Sequence, residues 1–339
     1  MPSHGLKIET VDAHVGGQPL RLVVSGFPEP RGVTMLEKCR YAAEHLNHLR
    51  GALLLEPRGH PDMYACLLTG PQRHTSHFGT LFFHRSGICP MSGHGIIATA
   101  TMVIESGLVE MKAPETLLKF DTPAGLVRAY AKIEDGRVRR VFFENVPSFV
   151  YAMDRMVQVP GLGVVPVDVA YGGEFYAYVD APQLNLALEP ENLGEITRLG
   201  TLIAEAVEQQ IPVQHPTEDL LGLFSGVVFV AHPARKRENQ AHSRLVCVYS
   251  DGSVDRSASG TALSGRLALL QRRGETELGD PHVVEGLLGS QLTARTARDA
   301  VTVGRHTAIV AEIEGTAWIT ARQTFFIDPE DPLKEGFLL

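Results

Sequence analysis

The sequence predicts a mixed α/β protein made of two similar halves, each with a series of strands before one buried helix that begins Ser-Gly. Its 339 residues exceed the usual size of one compact domain, so two domains are expected. Short apolar runs bounded by glycine, proline and polar clusters dominate the chain, which is typical of strands. Two largely apolar helical stretches, 95–105 and 261–273, each follow a Ser-Gly pair and lie about half a chain apart, which indicates an internal duplication.

The composition excludes several classes of function. Hydrophobic residues make up 44% and charged residues 21%, which is ordinary for a globular protein and does not indicate disorder. The net charge of -8 repels phosphate backbones and anionic membranes, so we expect neither nucleic acid nor a membrane as partner. The sequence has no signal-peptide pattern and no apolar stretch long enough to span a bilayer, which predicts a cytoplasmic protein. The 4 widely spaced cysteines indicate buried thiols rather than disulfides or a zinc ribbon.

Strands are predicted first, because they make up most of the pattern. The 33 glycines and 21 prolines supply the turns between them. The predicted strands are GALLLE (51–56), MYACLL (63–68), TLFFH (80–84), RVFFENV (140–146), GVVPVDVAYG (163–172), FYAYVD (175–180), SGVVFVA (225–231), RLVCVYS (244–250), HTAIVAEIEG (306–315) and AWITARQTFFI (317–327).

Helices are predicted at four places. Two are amphipathic, RYAAEHLNHL (40–49) and LGEITRLGTLIAEAVEQQ (193–210), and two are the largely apolar stretches 95–105 and 261–273. The apolar pair closes at Gly107 and Gly274, as helix C-caps do. No low-complexity linker separates the two halves, so we place their junction at a short crossover near 160–166, with the first half at 1–166.

The starts of the two apolar helices are candidate anion sites. The first N–H groups of a helix have no acceptor within it, and the helix dipole adds positive charge there. Gly93, His94, Gly260 and Thr261 carry those groups, so they would hold a carboxylate. The structural alternative is that serine before a helix simply caps it, which is its common use.

Asp255 lies four residues before Ser259 and adds a carboxylate beside the second helix start. Two amide clusters for an anion and one carboxylate for a cation describe a site for a small zwitterion, an amino acid. The alternative is an aspartate that serves only the turn in SDGSVD.

Two short motifs and several longer segments carry a family resemblance. MSGHG (91–95) and DRSASGT (255–261) resemble the two active-site signatures of the proline racemase superfamily, where MCGH and DRSPCGT each contain a cysteine. The resemblance extends through VDAHVGGQPLRLV, VDVAYGGEFYAYV and HPTEDL. EPRGHPDMY and the ending DPLKEGFLL are most similar to the trans-3-hydroxy-L-proline dehydratase branch.

The resemblance implies a diaminopimelate-epimerase-like fold of two similar β-rich halves, each around a central helix, with the active site between them. The C-terminal strand of that fold returns to the first half, which gives 1–166 plus 325–339 and 167–324 as domains. A cyclic amino acid is the implied substrate, with no cofactor and no metal. A homodimer is the implied assembly.

The same resemblance implies roles for individual residues. Ser92 and Ser259 fall on the two catalytic cysteines. The substrate carboxylate would be held by the backbone of the four residues named above at the helix starts. The ring amine would be held by Asp255 and the His94 side chain, and Tyr64 would pack on the ring.

The two serines favour dehydration over racemisation. Racemisation needs an acid and a base on opposite faces of Cα, and thiols titrate in the useful range whereas serine does not. Dehydration needs a base on one face only. We therefore expect trans-3-hydroxy-L-proline to be converted to Δ1-pyrroline-2-carboxylate, with Ser92, aided by His94, as base and Ser259 protonating the leaving hydroxyl. The alternatives are a 4-hydroxyproline 2-epimerase and a non-catalytic binder of proline analogues.

A metal hydrolase is a further alternative, because several histidines fall in one stretch. They include the HTSH segment (74–77), with His60, His84 and His94 on either side. HTSH lacks the HExxH pattern and a nearby helix of further ligands, so we expect no metal.

Overall fold

The computed structural model describes residues 5–232 and 241–338. Its helices are α1 (Met35–His45), α2 (Asn47–Leu54), α3 (Gly93–Glu105), α4 (Leu193–Gln210) and α5 (Gly260–Arg273). Its strands are β1 (Leu6–Val15), β2 (Gln18–Ser25), β3 (Ala65–Thr69), β4 (Phe78–His84), β5 (Gly87–Cys89), β6 (Glu115–Thr122), β7 (Gly125–Glu134), β8 (Arg137–Glu144), β9 (Ser148–Val159), β10 (Gly163–Tyr171), β11 (Phe175–Asp180), β12 (Phe224–Ala231), β13 (Ser243–Tyr249), β14 (His282–Glu285), β15 (Gln291–Val303), β16 (His306–Gly315) and β17 (Ala317–Ile327).

The chain forms two compact units. Met1–Phe142 with Thr316–Leu339 make up unit 1, and Phe143–Gly315 make up unit 2. Both junctions lie earlier in the chain than the sequence placed them, at 166/167 and 324/325. Strand β9 pairs with β10 and with β16, which places it in unit 2. Strand β17 pairs with β1 from end to end, so the whole strand and not only its last residues belongs to unit 1.

In unit 2 the strand pairs close into a ring around α5. Strands β9, β10 and β11 pair antiparallel in that order, and β11 pairs parallel with β12. The ring continues through antiparallel β12–β13, parallel β13–β14, and antiparallel β14–β15 and β15–β16. Strand β16 then returns to β9 through Phe149 and Ala308. Helix α5 packs on β9, β10, β11, β15 and β16 and buries its side chains from Gly260 to Leu270.

Unit 1 repeats the same order of pairings around α3. Strands β17, β1 and β2 pair antiparallel, β2–β3 parallel, β3–β4 antiparallel, β4–β6 parallel and β6–β7 antiparallel. Helices α1 and α2 connect β2 to β3 as α4 connects β11 to β12, and α3 and α5 each make the next parallel crossover. The predicted fold class, two similar β-rich halves each with a central helix, is confirmed.

Most predicted elements agree with the structure, and one does not. Helix α4 and strands β11, β16 and β17 have the predicted bounds. The predicted helix 40–49 is divided at Leu46 into α1 and α2, and α2 continues into GALLLE, which was wrongly predicted as a strand. Leu49, Ala52 and Leu53 are buried at helical spacing in α2, a period that the unbroken apolar run conceals. Within the described residues, none of the helices is long and apolar enough to cross a membrane.

Candidate active site

The first helix start combines a cap with a second polar contact. Ser92 has extended backbone angles (φ -137°, ψ 117°) and caps α3, because the Gly95 N–H donates to its Oγ at 3.2 Å. The same Oγ lies 3.3 Å from Nδ1 of His94. Ser92 is 4% and His94 2% exposed, so this contact is shielded from bulk water. Ser92 therefore caps its helix, as the structural alternative predicts, and its hydroxyl also contacts His94.

Tyr64 completes the surroundings of the first helix start. Its ring meets the His94 ring edge-on, with the centroids 4.9 Å apart, and lies 5.8 Å from the His84 ring on the other side. The Tyr64 carbonyl accepts the Arg21 N–H at 2.8 Å, which fixes the backbone next to β3. The structure thus places both Tyr64 and Ser92 against His94.

Gly95 permits this arrangement through its missing side chain. A Cβ there would lie 2.5 Å from the Phe82 ring and 2.8 Å from Ser92 Oγ. Any larger residue would push the cap away from its position. The first turn of α3 contains no acidic side chain, so the positive end of the helix dipole at Gly93 and His94 is not compensated from within that turn.

The second helix start has the same sequence pattern and a different geometry. Ser259 has φ +48° and ψ 106°, a left-handed region that non-glycine residues rarely adopt. Its side chain does not cap α5. Ser259 is 2% exposed, and among the residues that the structure describes its Oγ has no hydrogen-bond partner. The capping alternative is therefore wrong for this hydroxyl.

Asp255 organises the loop that leads to Ser259. Its Oδ1 accepts the backbone N–H and the hydroxyl of Ser257, at 2.8 and 2.7 Å, and its Oδ2 accepts the Tyr249 hydroxyl at 3.3 Å. Ser257 Oγ in turn accepts the Ser259 N–H at 3.1 Å. The turn-forming alternative for this aspartate is thus observed, and these bonds are the local support for the strained Ser259 backbone.

Tyr176 and Glu174 belong to the second helix start and were missed from the sequence. The Tyr176 hydroxyl donates to Glu174 Oε2 at 2.6 Å and lies 2.9 Å from the Thr261 hydroxyl. Burial, followed by the charge of Glu174, raises the pKa of Tyr176 well above its ordinary value, so it remains a donor. Alternation along β11 was the available signal, since Glu174, Tyr176 and Tyr178 occupy one face of that stretch.

Gly172, which precedes Glu174 and Tyr176, lies where the backbone approaches the first turn of α5 closely. A Cβ on Gly172 would collide with the Thr261 carbonyl oxygen, at the first turn of α5. Gly260 and Thr261 are buried there, as are the corresponding Gly93 and His94 of unit 1.

None of the 4 cysteines occupies the position of Ser92 or Ser259 at a helix start. All 4 are free thiols, with Cys66, Cys89 and Cys247 buried. Burial raises the pKa of Cys66 to about 12 and that of Cys39 to about 11, and it also raises the pKa of Cys247 well above its ordinary value. Burial therefore disfavours the thiolate forms of Cys39, Cys66 and Cys247.

The histidine-rich stretch does not gather ligands. Over residues 5–232 and 241–338, no three His, Cys, Asp or Glu side chains are placed to hold one metal ion. His77 Nδ1 accepts the Lys119 N–H at 3.0 Å, and His84 Nδ1 accepts the Ser86 N–H at 3.4 Å. Burial, with nearby lysines, lowers the pKa of His77.

A family model described as proline racemase matches residues 10–338, which include both helix starts. The chain belongs to the proline racemase family. This membership confirms the resemblance that the two signatures and the longer segments predicted.

Individual relatives agree over nearly the whole length. The chain is 40% identical over 334 residues to a trans-3-hydroxy-L-proline dehydratase of Colwellia psychrerythraea, covering 98% of this chain and 93% of that one. It is 37% identical over 332 residues to a proline racemase of Clostridioides difficile, covering 98% of each. A solved hydroxyproline epimerase of Agrobacterium vitis, with bound trans-4-hydroxy-L-proline, superposes with a TM-score of 0.94 at 31% identity and covers 100% of this chain and 96% of that one.

Proposed function

We propose that this member of the proline racemase family is a hydro-lyase that dehydrates trans-3-hydroxy-L-proline to Δ1-pyrroline-2-carboxylate. The observation that carries the proposal is the inequality of the two serines: Ser92 Oγ lies 3.3 Å from an imidazole nitrogen, whereas Ser259 Oγ has no partner among the described residues. One activated base suffices for elimination and does not suffice for two-faced proton exchange. The dehydratase name of relatives at 40% identity supports the same reaction class.

Substrate binding follows from the chemistry of the helix starts. The N–H groups of Gly93 and His94, and likewise those of Gly260 and Thr261, suit a carboxylate, because helix N-termini favour negative charge. Asp255 supplies a negative charge for the ring amine. Tyr64 supplies an aromatic face for the pyrrolidine ring.

The first chemical step is removal of the Cα proton. His94 Nδ1 takes the Ser92 hydroxyl proton, and the resulting oxygen, which also accepts the Gly95 N–H at 3.2 Å, takes the proton from Cα. The electron pair of the broken C–H bond moves toward the carboxylate. The amide groups at the helix starts stabilise the charge that develops there.

The second step is loss of the hydroxyl from C3. The electron pair forms the Cα–C3 double bond while the C3–O bond breaks, and the Ser259 hydroxyl, or a water held by it, protonates the leaving oxygen to give water. Solvent returns a proton to Ser259 and accepts the proton held by His94, so that both serines and the imidazole return to their starting states. The resulting enamine tautomerises to the cyclic imine.

Epimerisation of 4-hydroxyproline at C2 is the second candidate, because the Agrobacterium vitis structure with a TM-score of 0.94 bears that name. It requires a base at each serine in turn. The geometry at Ser259 argues against this, since no described side chain lies within hydrogen-bonding distance to accept its proton.

Incubation with two substrates in D2O distinguishes the candidate functions. The protein is mixed with trans-3-hydroxy-L-proline and, separately, with trans-4-hydroxy-L-proline in D2O, and the products are followed by NMR. Imine from the first substrate supports the proposal, whereas deuterium at Cα with inversion of the second identifies an epimerase. No turnover of either, together with thermal stabilisation by pyrrole-2-carboxylate, identifies a non-catalytic binder.

The cellular setting is part of the same proposal. We place the enzyme in the cytoplasm, where its 4 unpaired cysteines suit a reducing environment. A homodimer is the proposed assembly, which sedimentation of the purified protein tests.

A further inference from the structure

Arg266 is a buried cation without a hydrogen-bonded partner. It lies on α5, is 7% exposed, and within the described residues makes neither a hydrogen bond nor an ion pair within 4 Å. Its Nε is fully buried and has no acceptor. A buried N–H without an acceptor is costly, and a ligand that supplies an acceptor would remove that cost.

Arg273, the last residue of the same helix, has the hydrogen-bonded carboxylate partners that Arg266 lacks in the described part of the chain. Its Nη1 lies 2.8 Å from Asp168 Oδ2, and its Nη2 donates to Asp168 Oδ1 and Asp154 Oδ1 at 3.1 and 3.2 Å. Asp168 and Asp154 are therefore already engaged by Arg273. They leave Arg266 without a carboxylate of its own at hydrogen-bonding distance.

Both arginines line one cavity of unit 2, with a volume of about 290 Å³. That space holds roughly ten waters, which suits a small metabolite and not a nucleotide. Tyr178, Asp180, Gln183 and Glu275 also line it. Asp180 and Glu275 make no ion pair within 4 Å in the part of the chain that the structure describes, and the charge of Glu275 acts on Arg266 without a hydrogen bond to it.

The cavity is separate from the second helix start. Along β11, Tyr176 contacts Thr261 in the first turn of α5, whereas Tyr178, two residues further, donates to the Ala262 carbonyl at 2.6 Å. Asp180 ends the strand, and Arg266 lies about 9 Å along the helix axis from Gly260. The helix therefore connects the two places without merging them.

We propose that this cavity is a second binding site, for a small zwitterionic amino acid whose carboxylate pairs with Arg266. A planar guanidinium binds a carboxylate through two parallel hydrogen bonds. Asp180 and Glu275 receive the ammonium group. Because four carboxylates and two guanidiniums line the space, a phosphate or a dicarboxylate is disfavoured and a ligand carrying its own cation is favoured.

The test is equilibrium dialysis with labelled L-alanine, repeated with saturating pyrrole-2-carboxylate to occupy the proposed active site. Saturable binding that pyrrole-2-carboxylate does not displace is expected for the wild type. Arg266→Met should weaken it by about tenfold or more, because hydrogen bonds to a charged group are lost. Failure of the wild type to bind L-alanine saturably, or equal binding by Arg266→Met, overturns the proposal.

Two further variants and two simpler ligands test the proposed site independently of Arg266→Met. Glu275→Gln and Asp180→Asn lie nearer the surface and should weaken alanine binding if Arg266→Met does not fold. Acetate tests the carboxylate alone and methylamine the ammonium alone, and each should bind more weakly than alanine. Acetate binding as tightly as alanine, or unchanged binding by both carboxylate variants, refutes a zwitterion site. Dehydration by Glu275→Gln in the absence of alanine should equal that of the wild type, which separates this site from the proposed reaction.

Discussion

The starts of α3 and α5 share a Ser-Gly pattern, yet their serines are held in opposite ways. Ser92 has relaxed extended angles, caps its helix and contacts an imidazole. Ser259 has φ +48°, does not cap its helix and buries a hydroxyl that no described residue contacts. Duplication of a motif thus preserved the helix start and not the environment of the hydroxyl.

The difference indicates a division of labour. A hydroxyl with a proton acceptor can become a base, whereas one held by backbone strain without a partner can only be presented to a ligand. The support for the two serines also differs: His94 and Tyr64 surround the first, and the Asp255–Ser257 loop holds the second. Substitutions at matched positions of the two helix starts test whether the two hydroxyls differ in this way.

The largest effect is expected for Ser92→Ala. Removing the proposed base should lower turnover of trans-3-hydroxy-L-proline by about 10³-fold, within the range of general-base catalysis, and abolish Cα exchange in D2O. Ser259→Ala should retain Cα exchange while slowing loss of the hydroxyl. Proton NMR of the substrate in D2O measures both. Equal loss of exchange in the two variants would remove the asymmetry, and normal exchange in Ser92→Ala would exclude it as base.

A smaller loss of activity is expected for Gly95→Ala. The added methyl lies 2.5 Å from the Phe82 ring and 2.8 Å from Ser92 Oγ, so the cap must shift, at a cost of about 1–3 kcal/mol in stability. Turnover should fall by about 10²-fold because the hydroxyl is misplaced. Gly87→Ala is the matched control in unit 1, since a Cβ there meets no atom within 4 Å. Urea denaturation and steady-state rates check both, and wild-type turnover in Gly95→Ala would contradict the geometry.

Tyr176→Phe tests the polar chain at the second helix start. It leaves the Glu174 carboxylate and the Thr261 hydroxyl without their shared partner, which should cost about 1–3 kcal/mol and raise KM more than it lowers kcat. Tyr178→Phe is the control, because that hydroxyl donates to the Ala262 carbonyl and should affect stability with KM unchanged. Parallel kinetics and urea midpoints of the two variants decide, and equal KM values would assign Tyr176 to folding only.

The sequence was sufficient to predict those helices and strands whose residues follow a clear local pattern. Helix α4 and strands β11, β16 and β17 were found with their bounds because each has a clear period and ends at a turn residue or a change of pattern. The second half of α2 was missed because four consecutive hydrophobic residues, 52–55, hide a helical face. Tyr176 and Glu174 were missed because their partner, Thr261, is 85 residues from Tyr176 in the chain. The positive φ of Ser259 was not predicted, because a serine before a helix normally has the extended backbone of a capping residue.

The smallest effect, and the most direct comparison of the two backbones, is on stability after substitution by glycine. At position 259 glycine removes a left-handed residue that costs about 1–2 kcal/mol, so Ser259→Gly should be more stable than Ser259→Ala by about 1 kcal/mol. At position 92 the angles are relaxed and the hydroxyl caps the helix, so Ser92→Gly should lose a few tenths of a kcal/mol and Ser92→Ala about 1 kcal/mol. Urea midpoints of the four variants measure this. We expect Ser259→Gly to be more stable than the wild type and Ser92→Gly to be less stable. A stability change of the same sign in both variants would contradict the difference in backbone strain between the two helix starts.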